Sequence, residues 1–439
     1  MAYRVLRAVF SWLLKAWYRV SEVRGDRALL SAQGPVIYVA NHPNGLIDPG
    51  LLFVLIERQV TFLAKAPLFA MPVLGGLLRA LGCLPVYRKQ DGAQTAQNEG
   101  TLTASIEALV AGKAITLFPE GKSHSEPQLQ ELKTGCARIA LQAVSRGARV
   151  TVVPVGLTYA EKERFGSAVH VEVGEPIAAH TFAPAPGEDA FARAQALTEA
   201  IASRLEKVTL NLGAWEELPL LETAEALYAL EQGDAASDAA RRRAFAQGLA
   251  LVREEQPERF AALKARLLVL RRRLALVQAA PEDLELRYRP WAVLRFAVVN
   301  WLWLSFGLPL FLLGAALFVV PYWVPHFASR GAKAELDVQA TVKVLTTLVV
   351  APLWWALLTA LAFVALGPWW ALAVLVLTPP LAFFTRYFLE RRFAKLGDAR
   401  TFLTFFGRSR LKARLSRDAR ALAQDIEALA QELRPRVTG

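Results

Sequence analysis

Two clusters of polar residues in this 439-residue chain carry the side chains that acid–base chemistry needs. The first is Asn41-His42-Pro43-Asn44-Gly45-Leu46-Ile47-Asp48. A histidine within reach of a carboxylate is what a general base requires. The carboxylate holds the imidazole in one tautomer and stabilises its charged form, and the free nitrogen takes a proton from an alcohol. An architectural role fits the same letters: Asp48 precedes Pro49 and an apolar run, the pattern of a helix N-cap with proline at the first helical position, and His42 also suits an ordinary loop. The second cluster is Phe118-Pro119-Glu120-Gly121-Lys122-Ser123-His124-Ser125. A carboxylate and a glycine at a strand end can bind hydroxyls and let backbone approach a ligand, and a solvated proline–glycine turn accounts for the same residues. Lys133 and Gly135 come just before a helical run. A lysine beside the free amides of a helix N-terminus suits a phosphate, although an exposed lysine needs no such role.

The elements that must position these residues follow from hydrophobic periodicity. Strands are expected at 35–40, 60–64, 84–87, 114–118, 150–157 and 168–173, and helices near 49–57, 67–81, 95–111, 134–146 and 190–210. Alternation of this kind predicts an α/β layer, a mostly parallel sheet flanked by helices, with chemistry in the loops after the strands. Residues 179–190 read as a linker, and 214–285 as a soluble helical pair rich in Ala, Leu, Arg and Glu. Two long apolar blocks follow. One runs from Trp291 to Pro325 and is broken at Gly307-Leu308-Pro309; the other runs from Thr341 to Phe388 and is broken at Gly367-Pro368. The second is long enough for two spans at about 20 residues each, and the first fits one tilted span or a pair of half-length helices. The expected organisation is an interfacial membrane helix at 1–27, a catalytic domain at 28–213, a helical region at 214–290, membrane segments at 291–390 and a basic helical cytoplasmic tail at 391–439. Within the first segment, Val5, Val9, Trp12, Leu13, Trp17 and Val20 share one broad helical face, which suits a helix lying in the membrane interface or one packed on its own domain.

Taken together and in order, Asn41-His42 with Asp48, Leu84-Pro85-Val86-Tyr87-Arg88, Phe118-Pro119-Glu120-Gly121 and Val153-Pro154-Val155-Gly156 resemble the four motifs of the glycerolipid acyltransferases. The resemblance covers residues 1–178 and points to the fungal-type glycerol-3-phosphate/dihydroxyacetone-phosphate branch, which also has Ser-His after Glu-Gly, as at Ser123-His124. It is similar again at Leu336–Lys343, through Asp337 and Ala340-Thr341. What the resemblance implies is transfer of an acyl group from acyl-CoA or acyl carrier protein to glycerol 3-phosphate or a relative, with no metal, no cofactor beyond the acyl co-substrate and no covalent acyl-enzyme. His42 would be the general base and Asp48 its orienter. Arg88 would hold the acceptor phosphate, Glu120 and Gly121 would help place the acceptor, and Lys133 is a further phosphate candidate. Five residues separate His42 from Asp48 where the wider superfamily has four, so one residue must be absorbed in the turn. A lysophosphatidate acyltransferase shares all four motifs. A silent membrane-binding protein on the same fold is the reading from another class, against which the intact His42, Asp48 and Glu120 argue.

Composition agrees with a membrane setting. Hydrophobic residues make up 54% of the chain and the formal net charge is +12. Residues 386–439 hold thirteen Lys/Arg against six Asp/Glu. A basic tail beside apolar segments fits anionic membrane lipids at a cytoplasmic face, and the expectation is the cytoplasmic membrane with the catalytic domain facing the cytoplasm. Nucleic acid is not an expected partner, because no basic stripe lies on the catalytic domain. Cys83 and Cys136 are the two cysteines, too few for a disulfide framework or a cysteine-based zinc site.

Overall fold

The computed structural model describes residues 2–87, 98–162, 166–185, 187–232, 239–284, 290–331, 336–406 and 409–437, and they form two compact units. The first comprises Met1–Asn211 and Ala334–Thr341. It is built on strands β1 (Arg19–Gly25), β2 (Val36–Ala40), β3 (Val60–Lys65), β4 (Leu84–Val86), β5 (Ala114–Leu117), β6 (Thr151–Tyr159), β7 (Ala168–Val173) and β8 (Ile177–Ala178). Their spatial order is β1-β7-β6-β2-β5-β3-β4, with β8 paired to β6. The central pairs β6/β2, β2/β5, β5/β3 and β3/β4 are all parallel, whereas β7 joins β6 antiparallel. The central strands are rich in Val, Ile and Leu, because both faces are covered. Helices α1 (Ala2–Trp17), α2 (Ile47–Leu55), α3 (Pro72–Ala80), α4 (Asn98–Val110), α5 (Gly135–Ser145) and α6 (Ala190–Val208) complete the unit. Ile37, Val39, Ile115 and Val152 of the sheet, Ile106 and Leu109 of α4, Ile139 of α5 and Leu197, Ile201 and Leu205 of α6 share one core.

The expected strands and the mostly parallel sheet are present. One difference lies at the N-terminus, where the helix stops at Trp17 and Arg19–Gly25 forms a strand parallel to β7. Residues 1–27 are therefore not one helix. Strand geometry satisfies the backbone of Val20, Glu22 and Val23 against Val169–Val171, and the charged residues of this segment suit a sheet edge. The helix that remains packs on its own domain. The Tyr3 and Phe10 rings meet Phe53 edge-on at 5.0 and 5.7 Å, and Arg7 donates to the Val54 carbonyl at 3.0 Å.

The second unit comprises Leu212–Lys333 and Val342–Gly439. Where a helical pair was expected at 214–285 there are three helices, α7 (Leu218–Glu231), α8 (Ala239–Glu255) and α9 (Pro257–Leu276). The stop between α8 and α9 is Gln256-Pro257, since the residue before proline is pushed out of the helical region. α10 (Pro290–Leu302), α11 (Leu308–Leu317), α12 (Val319–Gly331), α13 (Leu336–Leu366), α14 (Pro368–Phe406) and α15 (Ser409–Val437) follow. α14 runs through residue 390 without a break, so the membrane segment and the basic tail do not part there. α15 packs against α7 and α9 around Leu220, Leu227, Leu267, Leu270, Leu415, Leu422 and Ile426. Arg266 and Asp425 flank that seam at 2.5 Å, and Arg273 and Asp418 at 2.6 Å.

Three described helices are long and apolar enough to cross a membrane: Val293–Leu317, Val338–Leu366 and Pro368–Leu389. Their apolar side chains point outward, with Phe306, Val364 and Trp369 at 76%, 85% and 81% exposure, which is the signature of lipid contact rather than of a soluble bundle. The break expected at Gly307-Leu308-Pro309 is not a reversal. Trp303–Gly307 is a single π-helical turn that leads straight into α11, and Pro309 sits in the first turn of α11, where its missing N–H costs least. The chain bends instead at Phe318.

α7 and α9 precede the first apolar block and α15 follows the second, yet they share one core, which keeps both ends of the membrane region on one side. The Lys and Arg residues that flank both blocks predict further that each block begins and ends on that same side. Within the second unit, the Leu317 carbonyl accepts from Trp354 Nε1 at 2.8 Å, near the middle of α13. The 13 residues of α12 rise about 20 Å, short of an apolar core of about 30 Å. Single-cysteine labelling tests this. Cys83 and Cys136 are buried, and burial pushes their thiols up to about 11 and about 12, so neither reacts readily at neutral pH. Cysteines placed at Arg330 and Arg410 should label from one and the same side, and one at Leu366 only from the opposite side. Labelling of the Arg330 position from the Leu366 side would make the first block a full crossing.

Candidate active site

Parallel pairing brings the motif loops together. β2 lies between β5 and β6 with Val39 opposite Leu117 and Ala40 opposite Val155, so the loops after these strands open at one edge. His42 leaves the end of β2, Glu120 follows β5, and Tyr159 closes β6. Asn41 fixes the departure angle. Its side-chain amide donates to the Leu157 carbonyl at 2.9 Å and its oxygen accepts from the Leu157 amide at 2.7 Å, copying the sheet ladder for one more residue.

His42 Nδ1 lies 2.8 Å from Asp48 Oδ2. The carboxylate can only accept, so Nδ1 carries the proton and Nε2 is left as the base. Asp48 is fully buried, while the His42 side chain keeps 16% exposure, so the pair presents its basic nitrogen and hides its charge. Three donors satisfy the carboxylate: His42 Nδ1, the Asn44 amide at 2.7 Å and the Tyr159 hydroxyl, which donates to Oδ1 at 2.6 Å. Burial, with the Asp48 charge added, pushes the Tyr159 phenol well above its usual value, so it stays a donor. Asp48 lies in the first turn of α2, behind Leu46 at the N-cap position, and is not itself the cap. Within the turn between His42 and Asp48, Gly45 has a φ of +37°, left-handed backbone that favours glycine. The imidazole also stacks on Phe118 at 4.0 Å between centroids and 15° between planes, which fixes its tilt.

Glu120 holds the same loop from behind. One carboxylate oxygen accepts from the His42 amide at 2.9 Å, and the other accepts from the Gln130 amide at 3.0 Å and from His124 Nε2. His124 Nδ1 accepts from the Glu126 amide at 3.1 Å, so the His124 proton sits on Nε2. His124 also donates its backbone N–H to the His42 carbonyl at 3.1 Å. Glu120 is 3% exposed and accepts these three hydrogen bonds, so its carboxylate lies beneath the loop it holds. Gly121 has a φ of +75°, and Lys133 is exposed with Cγ 3.6 Å from where a Gly121 side chain would begin. Lys133 thus sits over the Glu120 loop, ahead of α5. Arg88 lies outside the described residues.

Four further side chains meet here to which the sequence pattern assigned no role: Tyr159, two residues beyond the strand expected at 150–157, with Phe118, Lys162 and Asn44. Lys162 Nζ lies 3.0 Å from the Pro43 carbonyl and 2.6 Å from Ser125 Oγ, joining the two motif loops. Asn44 is fully buried and donates to the Tyr18 hydroxyl at 3.0 Å. The signal available for Tyr159 was its position, five residues beyond Pro154 at the end of a strand parallel to β2.

A buried carboxylate orienting one histidine, at the carboxyl ends of a mostly parallel sheet, defines a general acid–base site. The Acyltransferase family model matches residues 21–158, the stretch that holds β2, β5 and β6 and the loops carrying His42, Asp48 and Glu120. The chain is similar to Glycerol-3-phosphate O-acyltransferase 1 of Saccharomyces cerevisiae, with 25% identity over 323 residues that cover 51% of this chain and 42% of the relative. Glycerol-3-phosphate O-acyltransferase 2 of the same yeast is 32% identical over 143 residues, covering 31% and 19%. A chloroplastic 1-acyl-sn-glycerol-3-phosphate acyltransferase of Brassica napus is 27% identical over 161 residues, covering 35% and 44%. The chain spans less than half the length of each of these relatives.

Replacement of Tyr159 by Phe tests how far the buried carboxylate depends on its third donor. A hydrogen bond to a charged group contributes about 1.5–3 kcal/mol. The Tyr159→Phe protein should lose about that much, divided between a lower melting temperature and slower turnover. Unchanged melting and turnover would show that the bond does not support Asp48.

Proposed function

We propose that this protein is a membrane-embedded O-acyltransferase that moves a fatty acyl group from acyl-CoA or acyl carrier protein to the sn-1 hydroxyl of glycerol 3-phosphate, or to dihydroxyacetone phosphate. The observation that carries the chemistry is the 2.8 Å bond between His42 Nδ1 and the buried Asp48 carboxylate. His42 Nε2 takes the proton of the acceptor hydroxyl as its oxygen attacks the thioester carbonyl. The tetrahedral adduct collapses, a C–O ester bond replaces the C–S bond, and His42 returns the proton to the leaving thiolate. Asp48 stabilises the imidazolium between the two proton transfers. Glu120 acts first by fixing the His42 backbone. Arg88 and Lys133 supply charge for the acceptor phosphate. The basic helices face anionic lipid, with the catalytic unit on the cytoplasmic side.

The preference for the small acceptor rests on similarity to the yeast glycerol-3-phosphate acyltransferases and on Ser123-His124 after Glu120-Gly121. Similarity to the plastid lysophosphatidate enzyme favours the second reading, a larger acceptor at the same site. The two acceptors bind by different physics. Glycerol 3-phosphate is held by charge-assisted hydrogen bonds of about 1.5–3 kcal/mol each, whereas lysophosphatidate adds about 0.8 kcal/mol per buried methylene.

Two measurements test the proposal on purified protein in detergent. His42→Ala should reduce turnover by about 10²–10⁴ while the protein still folds and inserts, and near-normal turnover would remove His42 from the mechanism. In an acceptor panel, glycerol 3-phosphate or dihydroxyacetone phosphate should exceed 1-acylglycerol 3-phosphate by at least about tenfold in kcat/KM, and its apparent affinity should fall steeply with salt. A better rate with lysophosphatidate would install the second reading and leave the roles of His42 and Asp48 intact.

A further inference from the structure

Helix α2 presents Asp48 to His42, and its N-terminus is closed by a residue far along the chain. Asn44 supplies its backbone carbonyl to the amides of Ile47 at 2.9 Å and Asp48 at 3.3 Å. Leu46, at the N-cap position, has no side chain that can cap. Its own amide donates to Thr341 Oγ1 at 3.1 Å, across 295 residues of sequence. Thr341 is 7% exposed and the adjacent Ala340 is fully buried, so this is a packed contact and not a surface touch. Both residues belong to the catalytic unit and lie in the first turns of α13, which continues as the apolar helix ending at Leu366.

We infer that Thr341 is a positioning residue of the active site: its hydroxyl holds the Leu46 amide and thereby sets the start of α2, from which Asp48 reaches His42. The loop it braces is short and already contains left-handed backbone at Gly45. Asp48 accepts from Asn44 and His42 within that same loop, so a shift at Leu46 is felt two residues later at the carboxylate. Misplacing a catalytic group by about 1 Å is enough to cost up to about 10²-fold in rate. The catalytic unit is therefore completed by the segment between the two apolar blocks, and acyl transfer by the full chain depends on that segment staying docked.

The inference rests on the acyltransferase reading for its kinetic consequence, but the contact itself can be tested without activity. The full chain in detergent is compared with Thr341→Val, which keeps the branched shape and removes the oxygen, and Thr341→Ser, which keeps the oxygen. By hydrogen exchange and mass spectrometry, Thr341→Val should speed exchange in the peptide covering residues 41–52, and Thr341→Ser should not. In turnover, Thr341→Val should lower kcat about tenfold with both KM values within about twofold, and Thr341→Ser should retain at least about half the rate. On an Asp48→Asn background the Thr341→Val change should cost less than about twofold, because the two substitutions act on one device. Equal exchange in wild type and Thr341→Val would overturn the contact. Faster exchange with unchanged kcat, or a full tenfold loss repeated on the Asp48→Asn background, would overturn the positioning role. If the wild type transfers acyl groups to none of the acceptors, the functional reading fails while the exchange result still decides the contact.

Discussion

The buried carboxylate of Asp48 is the constraint around which the catalytic unit is arranged. An ionised carboxylate taken fully out of water costs several kcal/mol unless its oxygens are satisfied. Three donors meet that need, and they come from different parts of the fold: His42 from the end of β2, Asn44 from the turn, and Tyr159 from the end of β6. Only a sheet in which β2 and β6 are parallel neighbours brings the first and last of these to one point. The strand order is thus coupled to the chemistry. Moving β6 elsewhere would leave Asp48 short of a donor and the imidazole without a fixed tautomer.

Glu120 solves a second version of the same problem. It is equally hidden, and its partners are the His42 and Gln130 amides and the His124 ring. The two carboxylates act on His42 from opposite ends, Asp48 through the ring and Glu120 through the backbone. Phe118, one residue before Pro119 on the Glu120 loop, covers the face of the ring. With its position fixed by backbone, ring edge and ring face, the imidazole has little freedom left, and Nε2 is aimed before any substrate arrives. Catalysis by prior placement of this kind avoids reorganisation at the moment of reaction.

Much of this was legible in the sequence, and the limits have physical causes. The central strands could be read because buried parallel strands are runs of Val, Ile and Leu, and the motif loops because they carry polar side chains directly after such runs. His42 and Asp48 were found for that reason. Tyr159 was not, since an aromatic residue at a strand end is ordinary and its hydroxyl gains meaning only from the register of β6 on β2. β1 escaped because Arg19, Glu22 and Arg24 break the apolar alternation of an edge strand whose pairing with β7 is long-range. The Gly307-Leu308-Pro309 signal was real but misassigned. A proline after a π turn continues a helix, because the donor it lacks is one the turn leaves unused. Thr341 belongs to a different category. Nothing local marks a threonine in an apolar helix as the partner of an amide 295 residues away, and only the folded catalytic unit shows it.

The same division between local and long-range information governs the membrane region. Counting by length and composition yields three crossings, because Val293–Leu317 has the residues to span. An odd number would place α15 on the far side from α7 and α9, yet these helices bury Leu220, Leu267, Leu415 and Leu422 in one core. Breaking that core to carry α15 across would expose several leucines, at roughly 1.5–3 kcal/mol each, and would drag a helix with seven Lys/Arg and four Asp/Glu through lipid. An oblique path for α10 and α11 would keep that core whole, and outward Trp301 and Phe306 suit the interface, where aromatic residues are favoured. Hydropathy identifies which segments prefer lipid, and packing on either side of them decides how many complete the passage.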